Sequence, residues 1–260
     1  MAVFEKVRIG DISFNPATRS VALDHIFEMA STMSSRWVVT SNADHLLRAG
    51  EDQQFRGAIA AADFVVSDGW PIVVTLKAMG FSFAERVTGA DLLPAIAERC
   101  ARTGQSIFIM GGMEGWAEQA AKNLKNQFPG LKVAGTFFPP FGFEKDKAVS
   151  QQMIDAINAV KPDFLFLGVG APKQENWIRE YRNRFTCGVV IGVGMSIGFA
   201  AGMIPRAPVI MQKFYMEWFF RMCTEPKRLA PRYAKDLLIF PSLLRAVWNY
   251  RLQSGKATKL

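Results

Sequence analysis

Residues 164 to 170 read FLFLGVG: four large apolar residues in succession, then two glycines around a valine. Successive side chains of a strand point to opposite faces, so this run puts apolar groups on both. Such a strand is stable where both faces are covered, as in a parallel sheet with helices on either side. Similar short runs recur at 37–40 (WVVT), 64–66 (FVV), 106–110 (SIFIM) and 189–194 (VVIGVG), and LKVAGTFFP at 131–139 supplies a further strand. Segments of helical length and period separate them. From Gly115, for example, GWAEQAAKNLKNQF places Ala117, Ala120, Ala121 and Leu124 on one face. The alternation predicts an α/β fold, a Rossmann-like, doubly wound and mostly parallel sheet. Before it, residues 1 to 35 read as a strand or hairpin around VRIGDISFN and a helix from about Ser20.

The chain of 260 residues is half hydrophobic, enough for a substantial core. No uninterrupted apolar run reaches the roughly 18 residues of a membrane-spanning helix. The start, MAVFEKVRIGDISF, lacks the features of a secretory signal, so a cytosolic location is expected. Cys100, Cys187 and Cys223 are widely spaced, with no CxxC or His-rich partner segment, and read as buried thiols rather than as a disulfide framework or a zinc site. Charge is unevenly placed. Residues 1 to 202 hold 20 Lys and Arg against 20 Asp and Glu, whereas residues 203 to 260 hold 11 against 3, so the whole net charge of +8 lies in the tail. The shift divides the chain into an α/β catalytic domain, 1–202, and a basic, aromatic helical appendage, 203–260.

Ligands of open parallel sheets bind where strands end and helices begin. The junctions offer Thr40-Ser41-Asn42, Ser67-Asp68-Gly69, Gly111-Gly112, Pro139-Pro140-Phe141-Gly142, Gly168-Val169-Gly170 before Lys173-Gln174-Glu175, and Gly194-Met195-Ser196. Each also has a structural explanation. Asp68 and Asn42 are good helix N-caps, Arg86 could be a solvated charge, and the glycines could serve turns. GVGAPKQ lacks the third glycine of a dinucleotide fingerprint, and no GxxxxGK[ST] occurs, so neither a nicotinamide nor an ATP site is indicated.

Taken in order, Thr40-x-Asn42, VVSDGWP at 65–71, RVTGAD at 86–91, IMGG at 109–112, FLGVGAPKQENW at 166–177 and PRAPVIMQKFYMEWFFRMCTEPKRLAPRY at 205–233 resemble the bacterial WecG/TagA/CpsF glycosyltransferase family. The resemblance covers roughly residues 8 to 235. It implies inverting transfer of a sugar from a UDP donor to a polyprenyl-diphosphate-linked sugar at the inner face of the bacterial membrane. It also implies site roles: Asp68 as catalytic base, with Thr40 and Asn42 beside it. Arg86, Gly112, Gly168, Gly170, Lys173, Gln174, Glu175, Arg221, Arg228 and Arg232 are implied in substrate binding. No Asp-x-Asp occurs in the chain, so diphosphate stabilisation by arginines and helix N-termini is expected, with neither metal nor cofactor.

One position departs from the family pattern. Where the family reads close to GGAFDF, this chain reads GMSIGF at 194–199, with Gly198 in place of the aspartate. This leaves the donor sugar open, and leaves an alternative in which the chain is a non-catalytic UDP-sugar-binding or assembly subunit of a polysaccharide complex. In the tail, Val209 to Met222 carries Phe214, Tyr215, Trp218, Phe219 and Phe220, followed by Arg221, Lys227, Arg228, Arg232 and Lys235. Further on, Leu243, Leu244, Val247 and Trp248 read as an apolar stripe beside Arg245 and Arg251. Basic and aromatic residues on short helices suit an anionic membrane surface. Nucleic acid is not expected, since no recognition motif accompanies them, and homo-oligomer formation is left open.

Overall fold

The computed structural model describes residues 5–208, 210–211 and 216–257, without the side chains of Arg228 and of 254–257. Phe214 and Tyr215, expected in the tail's aromatic stretch, lie outside the described residues, as does the Arg228 side chain. An antiparallel hairpin opens the fold, β1 (Val7–Ile9) and β2 (Ile12–Phe14), followed by helix α1 (Arg19–Ala30). Six strands then form one sheet: β3 (Arg36–Ser41), β4 (Phe64–Ser67), β5 (Ser106–Gly111), β6 (Lys132–Phe137), β7 (Phe164–Gly168) and β8 (Val189–Gly192). Their order is β4-β3-β8-β7-β5-β6 and every pairing is parallel. The expected doubly wound α/β architecture is the one observed.

The apolar runs explain the layering. All five residues of β7 are buried, and its alternate side chains enter two different cores. Leu165 and Leu167 join Trp37, Val39 and Val190 on one face, under α2 (Ala43–Glu51), α3 (Gln53–Ala60), α4 (Trp70–Ala78), α7 (Lys147–Val160) and α8 (Lys173–Tyr181). Phe164 and Phe166 join Val38, Phe64 and Ile191 on the other, under α1, α5 (Gly89–Thr103), α6 (Trp116–Gln127) and the short α9 (Ser196–Ala200). The helices following β3 and β8 therefore leave toward opposite faces. These strands are neighbours, so a crevice opens between their carboxyl ends.

Residues beyond 202 form α10 (Glu217–Thr224), α11 (Pro226–Asp236) and α12 (Phe240–Ala257), and they pack on the sheet domain. Leu229 is fully buried, and Ile239 and Leu243 belong to the same core as Trp37. The Tyr250 ring lies 5.7 Å from that of Phe81, tilted by 55°, and the Arg251 guanidinium donates twice to the Ala78 carbonyl at 2.9 and 3.1 Å. The charge shift near 202 thus coincides with no gap in packing. The stripe read as one surface divides in two: Leu243 and Val247 turn inward, while Leu244 and Trp248 stay exposed. Cys100 and Cys187 are buried, and burial pushes both thiols up to about 12, whereas Cys223 is exposed, contrary to expectation.

Candidate active site

A cleft of about 510 Å³ lies at the carboxyl ends of β3, β4 and β8, roofed by α10, α11 and the start of α12. Asp68, Thr40, Asn42, Arg86, Gly170, Gln174, Arg221 and Arg232 all line it, though they come from widely separated segments of the chain. The parallel register aligns the first of these. Thr40 pairs with Val66 and Ser41 with Ser67, so the residues following both strands emerge at one level.

The structure separates the two candidate caps. Asn42 does cap α2: its side-chain oxygen accepts from the His45 amide at 3.2 Å, and the His45 ring returns a contact to the Asn42 amide. Asp68 does not cap α4. The N-cap is Gly69, with no side-chain hydrogen bond, and Pro71 in the first turn has no N–H to offer. The Asp68 amide is held by the Ser41 carbonyl at 2.8 Å, while no hydrogen bond or ion pair engages its carboxyl among the described residues. The carboxyl is left for the cleft. Withdrawal from water pushes its pKa up to about 8, aided by the negative charges of Glu217 and Asp91 and opposed by Arg86 and Arg221.

Arginines meet carboxylates throughout the site. Arg86 Nη1 donates to Glu217 Oε2 at 3.0 Å. Arg206 pairs with Asp91 and approaches Glu217 Oε1 at 3.5 Å. Arg232 lies 3.9 Å from Asp44, and Asp236 nearby is pushed up to about 6 by burial, with Asp44 adding to the rise. Arg221 lies over the Phe199 ring at 5.6 Å, its buried Nε without a partner among the described residues. Thr40 donates to the Gly192 carbonyl at 3.3 Å across β3 and β8. Gln174 is locked in place, accepting from the Gly194 amide at 3.2 Å and donating to Glu175 at 2.7 Å.

Four of the sequence candidates lie outside the lining. Glu175 sits behind Gln174, almost fully buried and 3.5 Å from His45 Nε2. Lys173 pairs with Glu144 at 2.8 Å. Gly168 and Gly112 serve close packing. A Cβ on Gly168 would come within 2.5 Å of Ile197 and 2.6 Å of the Gly194 carbonyl, and one on Gly112 within 2.9 Å of Trp116. Trp116 also accounts for Gly198, where a Cβ would meet its ring at 2.5 Å and Ile204 at 2.8 Å. The space that a carboxylate would need is filled by an indole, and Gly198 lies off the cleft lining.

The profile of the glycosyl transferase WecG/TagA/CpsF family matches residues 7–256, from the hairpin to the last helix. The chain belongs to that family. An N-acetylglucosaminyldiphosphoundecaprenol N-acetyl-beta-D-mannosaminyltransferase of Bacillus spizizenii is 28% identical to it over 220 residues, 85% of this chain and 81% of the relative. A transferase of the same name from Staphylococcus aureus is 28% identical over 226 residues, 86% and 87% of the two chains. The resemblance read from the motifs is therefore confirmed, and the chain is by family a glycosyltransferase.

The sequence reading of this glycosyltransferase missed the acidic half of its site. Glu217, Asp236, Asp44 and Asp91 were not singled out for it, yet the first three line the cleft and Asp91 pairs with Arg206 behind it. A signal was present: the basic tail holds only three acidic residues, and two of them, Glu217 and Asp236, face the cleft.

Proposed function

We propose that this family member is an inverting, metal-independent glycosyltransferase that moves a hexose or N-acetylhexosamine-type sugar from a UDP donor to a polyprenyl-diphosphate-linked sugar. The observation that carries the proposal is the Asp68 carboxyl, left unpaired in the cleft with Arg86 and Arg221 near it. In the reaction the acceptor hydroxyl oxygen bonds to the anomeric carbon from the face opposite UDP. Its proton passes to Asp68, and the anomeric C–O bond breaks with its electron pair leaving on the diphosphate. A carboxyl whose pKa lies near 8 is a strong enough base for this task once ionised. Arg86 stabilises the charge that develops on the leaving diphosphate, a role suited to a preorganised cation in a walled cleft. Arg221 and Arg232 complete the anion-binding surface, Thr40 and Asn42 orient the reacting sugars, and Gln174 holds the donor against the β8 loop. The described residues contain no cluster of three or more His, Cys, Asp or Glu side chains fit to hold a metal ion, and Asp-x-Asp is absent from the sequence.

The test is transfer with purified protein, a panel of UDP-sugars and a short-chain lipid-diphosphate-sugar acceptor. UDP should be released only when the matching donor and acceptor are both present, with an inverted product linkage, and chelator should leave the rate unchanged. Binding of UDP-sugar without acceptor-dependent release would reject the catalytic assignment, and a strict need for Mg²⁺ or Mn²⁺ would reject the metal-independent one.

The acceptor's lipid gives the proposed membrane contact its purpose. No described helix is long and apolar enough to cross a membrane. The outer face of α12 and the turn before it nonetheless expose Leu237, Leu238, Leu244 and Trp248, next to Trp70 and Phe240 at the cleft mouth. Exposed Lys227, Lys235, Arg245 and Arg251 occur in the same segment. This surface fits the inner leaflet of an anionic membrane, where about 1 kcal/mol attends each cation. Leu244→Ser combined with Trp248→Ser should weaken sedimentation with anionic vesicles by on the order of tenfold or more, because apolar area is lost from the contact. Both side chains are solvent-exposed, so Tm should not change. Binding of wild type should also weaken with salt as screening shortens to about 8 Å or less. Unchanged vesicle binding by the double variant would place the membrane contact elsewhere.

A further inference from the structure

Glu217 opens α10, yet it is only 8% exposed. A buried carboxylate is costly unless cations hold it, and two do: Arg86 at 3.0 Å and Arg206 at 3.5 Å. Arg206 comes from the chain leading into the tail and is itself tied to Asp91 and to the Ala90 carbonyl on α5. Arg86 comes from the sheet domain, on the segment between α4 and α5. Glu217 is therefore a carboxylate of the tail bound to a cation of the body, in the wall of the cleft that holds Asp68.

The pairing that is missing is as informative as the one that is made. Arg86 is close enough to Asp68 to act on its charge, yet no ion pair joins them among the described residues. A guanidinium beside an ionised carboxylate would ordinarily form one, and the pair would leave a weak base and a cation turned away from any leaving group. We propose that Glu217 is a positioning residue that draws Arg86 to itself and so holds it off Asp68, keeping the base free and the guanidinium fork aimed into the cleft. This rests on the assignment of Asp68 as base and Arg86 as leaving-group cation. The charged groups acting on Asp68 are Arg86 from the α4–α5 connection, Asp91 from α5, and Glu217 and Arg221 from α10.

Once the Glu217 charge is removed, Arg86 collapses onto Asp68. Two effects then add: a negative neighbour of Asp68 is lost, and a cation comes closer. Both stabilise the ionised carboxylate, so the Asp68 titration moves to lower pH, by about 1 to 3 units for a new ion pair. Glu217→Gln keeps size and hydrogen-bonding shape while removing the charge. The Asp68 carboxyl should be followed by its carbon resonance in substrate-free protein, assigned with Asp68→Asn. Expected are a titration midpoint at least one unit lower in Glu217→Gln, a kcat lower by roughly tenfold or more with a smaller change in KM, and substantial return of both in Glu217→Asp.

A double-mutant cycle separates positioning from simple seating of the tail. In an Arg86→Gln background the arginine that Glu217 holds off Asp68 is gone, so adding Glu217→Gln should shift the Asp68 midpoint much less than it does in wild type. Equal shifts in the two backgrounds would mean that Glu217 acts by its own charge or by docking α10, and would overturn the proposal. So would an unmoved midpoint in Glu217→Gln. The resonance is read without substrate, so the outcome stands apart from the catalytic assignment. If Asp68→Asn retained normal transfer, the base role would fall while the Glu217 titration result was still read on its own terms.

Discussion

Asp68→Asn is expected to lower turnover by roughly 10² to 10⁴ while leaving UDP-sugar binding intact, because the amide keeps the shape of the side chain but cannot take a proton. The structure removes the main competing explanation of such a loss. Asp68 caps no helix and makes no side-chain hydrogen bond among the described residues, so the substitution breaks no contact seen there. In wild type, kcat/KM should climb about tenfold per pH unit below the Asp68 pKa near 8 and level off above it, since only the ionised carboxyl is a base. Stability should run the other way. A carboxyl whose folded pKa lies above its unfolded value near 3.9 favours the fold fully only below that unfolded value. Its contribution is lost as pH rises toward 8. Asp68→Asn should therefore melt higher than wild type at pH 8, with the gap closing toward pH 4. Near-normal turnover in the variant, or a flat profile between pH 6 and 8, would remove Asp68 from the reaction. The alkaline instability is the cost of keeping a base in a walled cleft.

Arg86→Ala carries the second large effect, a fall in kcat of on the order of 10² to 10³, with a smaller change in donor KM. Arg86 is the cation that opposes the rise in the Asp68 pKa most strongly, so its loss should also move the ascending limb of the pH profile to higher pH. That direction is opposite to the one expected for Glu217→Gln, which makes the two variants a test of each other. Arg86→Lys should recover little, because an ammonium cannot hold Glu217 with one N–H and still present a planar fork to a diphosphate. A rise in KM with kcat unchanged would instead make Arg86 a binding group whose hold is the same in ground and transition state.

Family membership also bears on Gly198. The departure from the family pattern left room for an inactive chain, but Trp116 and Ile204 close the space where a carboxylate would stand. Gly198 packs α9 closely against α6, away from the cleft lining. The departure removes nothing that the proposed reaction uses.

Local sequence was sufficient for the sheet. Runs such as FLFLGVG are stable between two covered faces, so the parallel pairing and the helical layer on each face followed from hydrophobic patterning alone. Asp68, Thr40 and Asn42 were legible as candidates because each sits at the end of a strand that the pattern had already placed, and Gln174 because it opens the helix that follows one. Local sequence could not tell a cap from a free carboxylate: Asn42 and Asp68 look alike in the chain, and only the backbone path at Gly69 shows that one caps and the other does not. Nor could it tell that the basic tail is part of the core, or that its few acids matter. Leu243 and Leu244 are adjacent residues whose fates differ by which side of α12 packs on the body. Glu217 and Arg86 are 131 positions apart, and nothing local to either encodes the other. Hydrophobic period is a property of one element and can be read along the chain. Ion pairing across a cleft depends on how elements from distant parts of the chain are brought together, and only the tertiary structure decides it.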